Sequence, residues 1–288
     1  MNFNIFKNES LSKYNWFNLG GPAEFFFKPT SEEELRAFLL QNTKKINIIG
    51  AGSNLLIRDG GLKGVTIKLG SKFSQIKLLK NNIIEAGSST LDRKISDFAL
   101  TNSLSSMEFL SCIPGSIGGG VKMNSGCYNE DISQIFVSLD GIDDKGKLIT
   151  ISNDELKFKY RGCNLSENLI ILRVRLQGTS SKKELIQQKQ LRLLEKKKES
   201  QPSKIKTCGS TFKNPNQKKA WQLIKESNSH QLSFGDAQIS KKHCNFFINN
   251  GNATSFEIEE LIKKVKKKVF EKTGVNLELE IKVIGIQN

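Results

Sequence analysis

The sequence predicts an α+β protein. An amphipathic helix early in the chain gives way to short, glycine-punctuated strands. A polar, Lys-rich stretch then divides the chain, and a second set of helices and strands follows it.

Taken in order, Ser31 and Glu34 form a capping box, and Leu35, Phe38 and Leu39 fall on one helical face. Ile46 to Ile49 is a short apolar strand. Leu55 to Ile57, Gly64 to Leu69 and Ile83 to Ala86 likewise have strand length and strand residues. Asp92 to Leu104 is a helix, and Ile135 to Ile151 reads as strand, turn and strand around Asp143 to Gly146. The stretch Ser180 to Ser203, with Leu185, Leu191 and Leu194 as its apolar positions, ends near Pro202 and marks the domain boundary. This divides the chain into residues 1–180, a linking helix over 181–203, and residues 204–288.

Beyond the boundary the pattern predicts a helix at Ala220 to Glu226 and a strand at Asn245 to Asn249. A long helix from Ser255 to Thr273 carries a Thr254–Glu257 capping box and a stripe of Ile258, Leu261, Ile262, Val265 and Val269. Its lysines lie off that stripe without interleaved aromatics, as on a solvated face. A final strand, Leu277 to Ile284, alternates apolar and charged residues, placing Glu278, Glu280 and Lys282 on one face.

Composition limits the chemistry. The chain has 288 residues, 37% of them hydrophobic and 25% charged, which excludes a disordered or collagenous chain. The net charge of +15 favours anionic partners: nucleic acid, acidic membrane or phosphorylated small molecules. Only His230 and His243 are available, which disfavours zinc sites and His-dependent nucleophilic mechanisms, and no metal is expected. Five cysteines in no Cys-x-x-Cys pair read as reduced thiols, Cys244 among them as a small buried residue. No apolar run reaches the roughly 18 residues of a membrane span, and the first ten residues lack a signal peptide's apolar stretch. A cytoplasmic protein without membrane contact is expected.

Three segments have the texture of a site. GAGSN, Gly50 to Asn54, follows the Ile46 to Ile49 strand but departs from the dinucleotide fingerprint, with Leu55 at its third glycine position and a strand where the helix belongs. A pyrophosphate cradle of loop amides stays open. IPGSIGGGVKMNSG, Ile113 to Gly126, has five glycines in 14 residues; Val121 stands where a phosphate-binding loop needs Lys. It is either backbone pressed against an extended ligand or a tight turn. In CGSTFKNP, Cys208 to Pro215, the Ser210 hydroxyl with Lys213 three residues on is a candidate for proton transfer beside a cation.

In this order the segments resemble the UDP-N-acetylenolpyruvoylglucosamine reductase family. The resemblance runs from Trp16 to Ala23 (WFNLGGPA) through GAGSNLL, IPGSIGGGVKMNSG, Tyr160-Arg161 and GSTFKNP. It continues through GDAQISKKHCNFFINNGNAT, Gly235 to Thr254, and ends at EIKVIG, Glu280 to Gly285. The resemblance implies an FAD-binding region in two α+β subdomains of the vanillyl-alcohol-oxidase type, followed by an α+β substrate domain. It is similar to the form lacking an extra tyrosine-bearing loop, because Arg161 is followed quickly by the Leu169 to Leu176 strand. The FAD region contains no His, so FAD is expected to be non-covalent, with NADPH as hydride donor.

By the same resemblance Gly50, Ala51, Gly52, Ser53, Asn54, Leu55, Pro114, Gly115, Ser116, Gly118, Gly119, Asn124 and Gly126 bind the cofactor. Tyr160, Lys213 and Asn214 bind substrate. Arg161 stabilises the charge developing at the enolpyruvyl carboxylate, Glu280 lies beside that group, and Ser210 protonates the adjacent carbon. His243 is assigned a structural place. The family's pattern is broken at Asn18, where Lys or Arg is usual, and at Cys112, Cys127 and Asn129, which replace Gly, Ala and Gly. The resemblance further implies small-molecule partners, a UDP-sugar and NADPH, and a monomer that does not engage nucleic acid.

Two rival readings make different predictions. Another FAD oxidoreductase of this fold would lack GSTFKNP and EIKVIG, while a basic nucleic-acid-binding protein would be colourless and bind nucleic acid in a salt-sensitive way.

Overall fold

The computed structural model describes residues 3–215 and 218–287. The chain folds as two compact units. One comprises residues 1–6, 26–51 and 65–197; the other comprises residues 7–25, 52–64 and 198–288. Helices and strands mix in both, as an α+β sequence requires.

In the first unit, helix α1 (Glu32–Gln41) begins at Ser31, whose hydroxyl accepts from the Glu34 amide at 3.1 Å. The reciprocal half of the capping box shifts by one residue, because the Glu34 carboxylate takes the Thr30 amide at 2.6 Å. The buried face is Leu35, Phe38 and Leu39, with the Phe38 ring 4.4 Å from that of Phe27. Nearby, Ile46–Ile48 pairs in parallel with Val65–Ile67.

The larger layer of this unit is an antiparallel five-stranded sheet, in spatial order Leu148–Ser152, Phe136–Ile142, Ile170–Gln177, Ile83–Gly87 and Ile76–Leu78. Alternate residues Val174 and Leu176 are fully buried, and Arg173 and Arg175 point the other way into ion pairs with Asp140. Helices α2 (Asp92–Thr101) and α3 (Ile117–Met123) cover the buried face with Ile95, Ala99, Ile117 and Val121. Helix α2 stops three residues before the expected Leu104, capped by backbone bonds from Asn102.

Helix α4 (Lys183–Ser200) buries Ile186, Gln190 and Leu193, whereas Leu185 and Leu191 are exposed. The buried face is therefore rotated from the expected one. The cause is Gln190, whose amide donates to the carbonyl and hydroxyl of Ser96 and thereby takes a core position that a hydropathy pattern assigns to leucine.

The second unit is organised by helix α6 (Ser255–Thr273), with α5 (Ala220–Glu226) and the antiparallel strands Ser233–Phe234, Ala237–Ile239 and Phe247–Asn249 around it. The whole expected stripe, Ile258 to Val269, is buried, and both bonds of the Thr254–Glu257 capping box form. Asp59 adds a second cap, its two oxygens accepting from the Ser255 and Phe256 amides at 3.0 and 3.1 Å. Arg58 holds Glu259 of the same helix through a two-pronged ion pair of 2.8 and 2.9 Å.

Phe17, Leu19 and Leu56 complete the core of this second unit. Only Lys282–Ile284 of the expected last strand has a ladder, in parallel with Leu55–Ile57. Leu277 and Ile281 are nevertheless buried and Glu278 is exposed, as the alternation predicts, while Leu279 and Glu280 are both half-buried. The strand expected from Asn245 starts at Phe247, because the Asn245 side chain is used to bind the neighbouring loop.

Candidate active site

The glycine-rich segments do not act as one piece. The chain leaves the first unit at Ala51 and enters the second at Gly52, so GAGSN is split between them.

In the first unit, Gly50, Ala51, Ser116, Gly118 and Gly119 line a cleft of about 400 Å³, within the size range of small-molecule sites. Lys28, Lys68, Lys94 and Lys122 line it too, together with Ser71, Ser74, Ser88 and Ser89. Burial pushes the Lys68 and Lys122 ammonium groups below the ordinary lysine range. Lys68 donates to the Gly50 carbonyl and Lys122 to that of Glu167 at 3.0 Å.

Space at this wall is set by the absence of side chains. A Cβ on Gly50 would stand 3.0 Å from the Ser116 hydroxyl, and one on Gly118 would stand 2.8 Å from the Ser88 Cβ. A Cβ on Gly119 would meet nothing closer than the Ser116 hydroxyl at 4.0 Å, so this glycine leaves open surface. Desolvated cations, hydroxyls and bare backbone fit a diphosphate-bearing cofactor such as FAD.

Other residues expected near the cofactor support the local turn. Asn124 is buried in the left-handed conformation that ends α3. Its side chain accepts from the Ser133 amide at 3.0 Å and donates to the Lys159 carbonyl. A Cβ on Gly126 would fall 2.4 Å from Asp131. Pro114 is half-buried, and the Gly115 carbonyl receives the amide of Asp92. Asn129 has φ +68°, a conformation that asparagine tolerates where glycine is the alternative.

Tyr160 is exposed, with the Arg161 guanidinium 5.0 Å from its ring centre. Arg161 itself has φ +55°, and its Nη2 donates to the Gly126 carbonyl at 2.9 Å. The fork thus hangs from the end of the glycine-rich segment.

In the second unit, Gly52 has φ +72°, and a Cβ there would fall 2.0 Å from the Tyr14 carbonyl. Half-buried Ser53 follows it. Asn54 donates to the Glu280 carbonyl at 3.1 Å, and the Leu55 carbonyl accepts from the Cys208 thiol.

The CGSTFKNP loop runs antiparallel to Leu277 to Ile281. Phe212 bridges Leu279, the Glu280 amide donates to Thr211 and the Lys213 amide donates to Glu278. Ser210 and Glu280 are therefore one register step apart, both half-buried. Lys213 Nζ pairs with Glu278 at 3.3 Å. Asn214 accepts the first amide of α5, from Ala220, at 3.0 Å.

Sequence reasoning missed Asn245, the four cleft lysines and Asp92. Asn245 binds the Phe212 amide at 3.0 Å and its carbonyl at 2.8 Å, holding the loop by both backbone groups. Nothing local marks it, since its partner lies 33 residues away. His243 does take a structural place: its Nδ1 accepts from the Asn245 amide, and burial lowers its pKa. Cys244, expected to be buried, is half-buried and donates to the Trp221 carbonyl at 3.0 Å.

Comparison with known proteins locates these features. Residues 23–152 match the family model of an FAD binding domain. Residues 201–284 match that of the C-terminal domain of UDP-N-acetylenolpyruvoylglucosamine reductase. The reductase of that name from Pelagibacter ubique is 50% identical over 95% of this chain and 92% of its own length.

The chain belongs to the UDP-N-acetylenolpyruvoylglucosamine reductase family.

The family member from Rickettsia bellii is 46% identical over 99% of this chain and 97% of its own. The crystal structure of the reductase from Thermus caldophilus superposes with a TM-score of 0.86 at 31% identity, covering 98% of this chain and 99% of that one. The α+β class, with an FAD-binding region ahead of the family's C-terminal domain, is that of the family. No helix among the described residues is long and apolar enough to cross a membrane.

Proposed function

We propose that this chain is an FAD-dependent oxidoreductase that reduces UDP-N-acetylglucosamine enolpyruvate to UDP-N-acetylmuramate with NADPH, a step of peptidoglycan precursor synthesis. The observation that carries the reading is full-length membership of the reductase family, extending through both GSTFKNP and EIKVIG. The lysine-, serine- and glycine-lined cleft supports it, since a diphosphate needs such a wall.

FAD, held non-covalently by Gly50, Ala51, Ser116, Gly118, Gly119 and the surrounding lysines, supplies hydride transfer from NADPH to the enolpyruvyl group when bound. Arg161, whose planar fork suits a carboxylate, stabilises charge developing on the enolpyruvyl carboxylate. Ser210 delivers a proton to the carbon beside that carboxylate, and Glu280 stands next to the same group. Tyr160, Lys213 and Asn214 contact the UDP-sugar, whose negative charge is matched by the +15 net charge of the chain.

The functional division assigns residues 1–180 to FAD and 204–288 to the sugar substrate, with 181–203 connecting them. Residues 7–25 and 52–64 lend apolar side chains to the second unit's core. We further propose that the protein works as a cytoplasmic monomer on these small molecules, without nucleic-acid or membrane partners.

A visible spectrum of the purified protein tests the assignment. Flavin bands that bleach with NADPH in an anaerobic cuvette, and return on adding the enolpyruvyl sugar, are the expected result. Bleaching without return overturns the substrate. A colourless protein that stays so after adding FAD overturns the cofactor.

A further inference from the structure

Two of the five cysteines meet. The short turn Glu108–Cys112 lies against the strand Gly126–Cys127 in the first unit. This packs Cys127 against the buried cluster that holds Cys112, so that the two thiols are neighbours and each acts on the other's ionisation. Cys127 Sγ also reaches the Phe109 carbonyl at 3.5 Å, and Cys112 Sγ lies 3.7 Å from the Ser111 hydroxyl. The pair therefore brackets the whole glycine-rich segment, Ile113 to Gly126.

We propose that Cys112 and Cys127 form a redox modification site, a dithiol that a hydroperoxide converts reversibly into a disulfide bracketing the glycine-rich segment.

The surroundings set which sulfur reacts first. Cys127 and Ser111 adjoin the Cys112 sulfur, and the Lys197 ammonium, which donates to the Cys112 carbonyl at 2.8 Å, adds positive charge. These lower the Cys112 pKa against the effect of its burial. Cys127 is pushed up by Cys112 and by its own burial, with Glu130 adding to both, and stays protonated. Cys112 is 5% exposed, which admits a molecule the size of hydrogen peroxide more readily than a bulky disulfide.

The chemistry balances in two steps. The Cys112 thiolate attacks one peroxide oxygen, the O–O bond breaks, and sulfenic acid forms as hydroxide leaves to take up the proton Cys112 released. The Cys127 sulfur then attacks the sulfenic sulfur, its proton joins the departing hydroxyl as water, and the S–S bond closes. In total two thiols are oxidised and one peroxide is reduced to two waters.

The other three cysteines provide an internal control. Burial pushes Cys208 up to about 12 and raises Cys163 and Cys244, and no second thiol acts on the ionisation of any of the three. Thiolate character is thereby confined to one member of one pair.

The test treats the FAD-loaded full-length protein with stoichiometric hydrogen peroxide, then maps peptides without reduction and counts free thiols. The expected result is a Cys112–Cys127 cross-linked peptide and a fall from five free thiols to 5 − 2 = 3, reversed by a dithiol reductant. Cys127→Ser, at the less buried position, should lose the cross-link and, with at least two equivalents of peroxide, carry Cys112 through sulfenic to sulfinic acid that reductant does not reverse. An unchanged thiol count overturns the proposal. So does a cross-link through any other cysteine, or sulfinic acid at Cys112 of the wild-type protein with Cys127 untouched.

Discussion

Asn245 grips Phe212 by both of its backbone groups, accepting from its amide at 3.0 Å and donating to its carbonyl at 2.8 Å. The Asn245 carbonyl also takes the Thr211 amide at 2.7 Å. Ser210 is thus presented by a loop whose next two residues are fixed from one point.

Replacing Asn245 with Ala leaves two buried backbone groups without partners, at a cost of about 1–3 kcal/mol. The expected outcome is a lowered melting temperature, together with slower flavin reoxidation by the enolpyruvyl sugar and unchanged reduction by NADPH. Stopped-flow traces of the two half-reactions check the split.

Ser210→Ala removes the proposed proton donor without changing the loop's backbone bonds. Reoxidation by the enolpyruvyl sugar should slow about 10²- to 10⁴-fold, the usual worth of a general acid, while NADPH still bleaches the flavin. Reoxidation at the wild-type rate would remove Ser210 from the mechanism.

Lys68 is half-buried against the Gly50 carbonyl and lines the cleft. Lys68→Met should raise the FAD dissociation constant about tenfold, the loss of one charge-assisted contact of about 1.5 kcal/mol. Flavin fluorescence during titration of the apoprotein reads the change directly.

Asp92 is fully buried, and neither carboxyl oxygen has a hydrogen-bond partner among the described residues. Burial raises its pKa from 3.8 to about 8. The folded chain therefore holds a proton that the unfolded chain releases, and this contribution to stability falls as pH rises from about 4 to about 8, levelling off beyond. Relative to Asp92→Asn, the wild-type protein should lose urea resistance across that window and keep a constant difference above it. A flat difference from pH 4.5 to 8.5 would place Asp92 in a more polar setting.

Asp59→Ala removes acceptors from the Ser255 and Phe256 amides at the start of α6. A loss of about 1–2 kcal/mol is expected, with faster hydrogen exchange at those two amides and little change deeper in the helix.

The legible part of the fold is the part written locally. The α6 stripe and its capping box depend on residues within one or two turns, and both form as their spacing predicts. The α4 face escapes a hydropathy pattern because its central buried residue is Gln190, whose partner Ser96 is 94 positions away. The same distance problem hides Asn245 and the cleft lysines, each an ordinary polar residue until the chain brings its partner near. GSTFKNP and Glu280 are legible as motifs; that their backbones run side by side is not, because an isolated bridge between Phe212 and Leu279 leaves no periodic trace.

The split of GAGSN after Ala51 also governs how the protein can be made. Phe17, Leu19 and Leu56 leave the ribosome about 200 residues ahead of Phe247, Ile258 and Leu261, with which they share a core. At elongation rates of about 5–20 residues per second the interval is on the order of ten to forty seconds. During it these side chains have no native cover, so the second unit closes only after α6 has emerged, and a chain truncated before α6 leaves an apolar surface for chaperones or proteases.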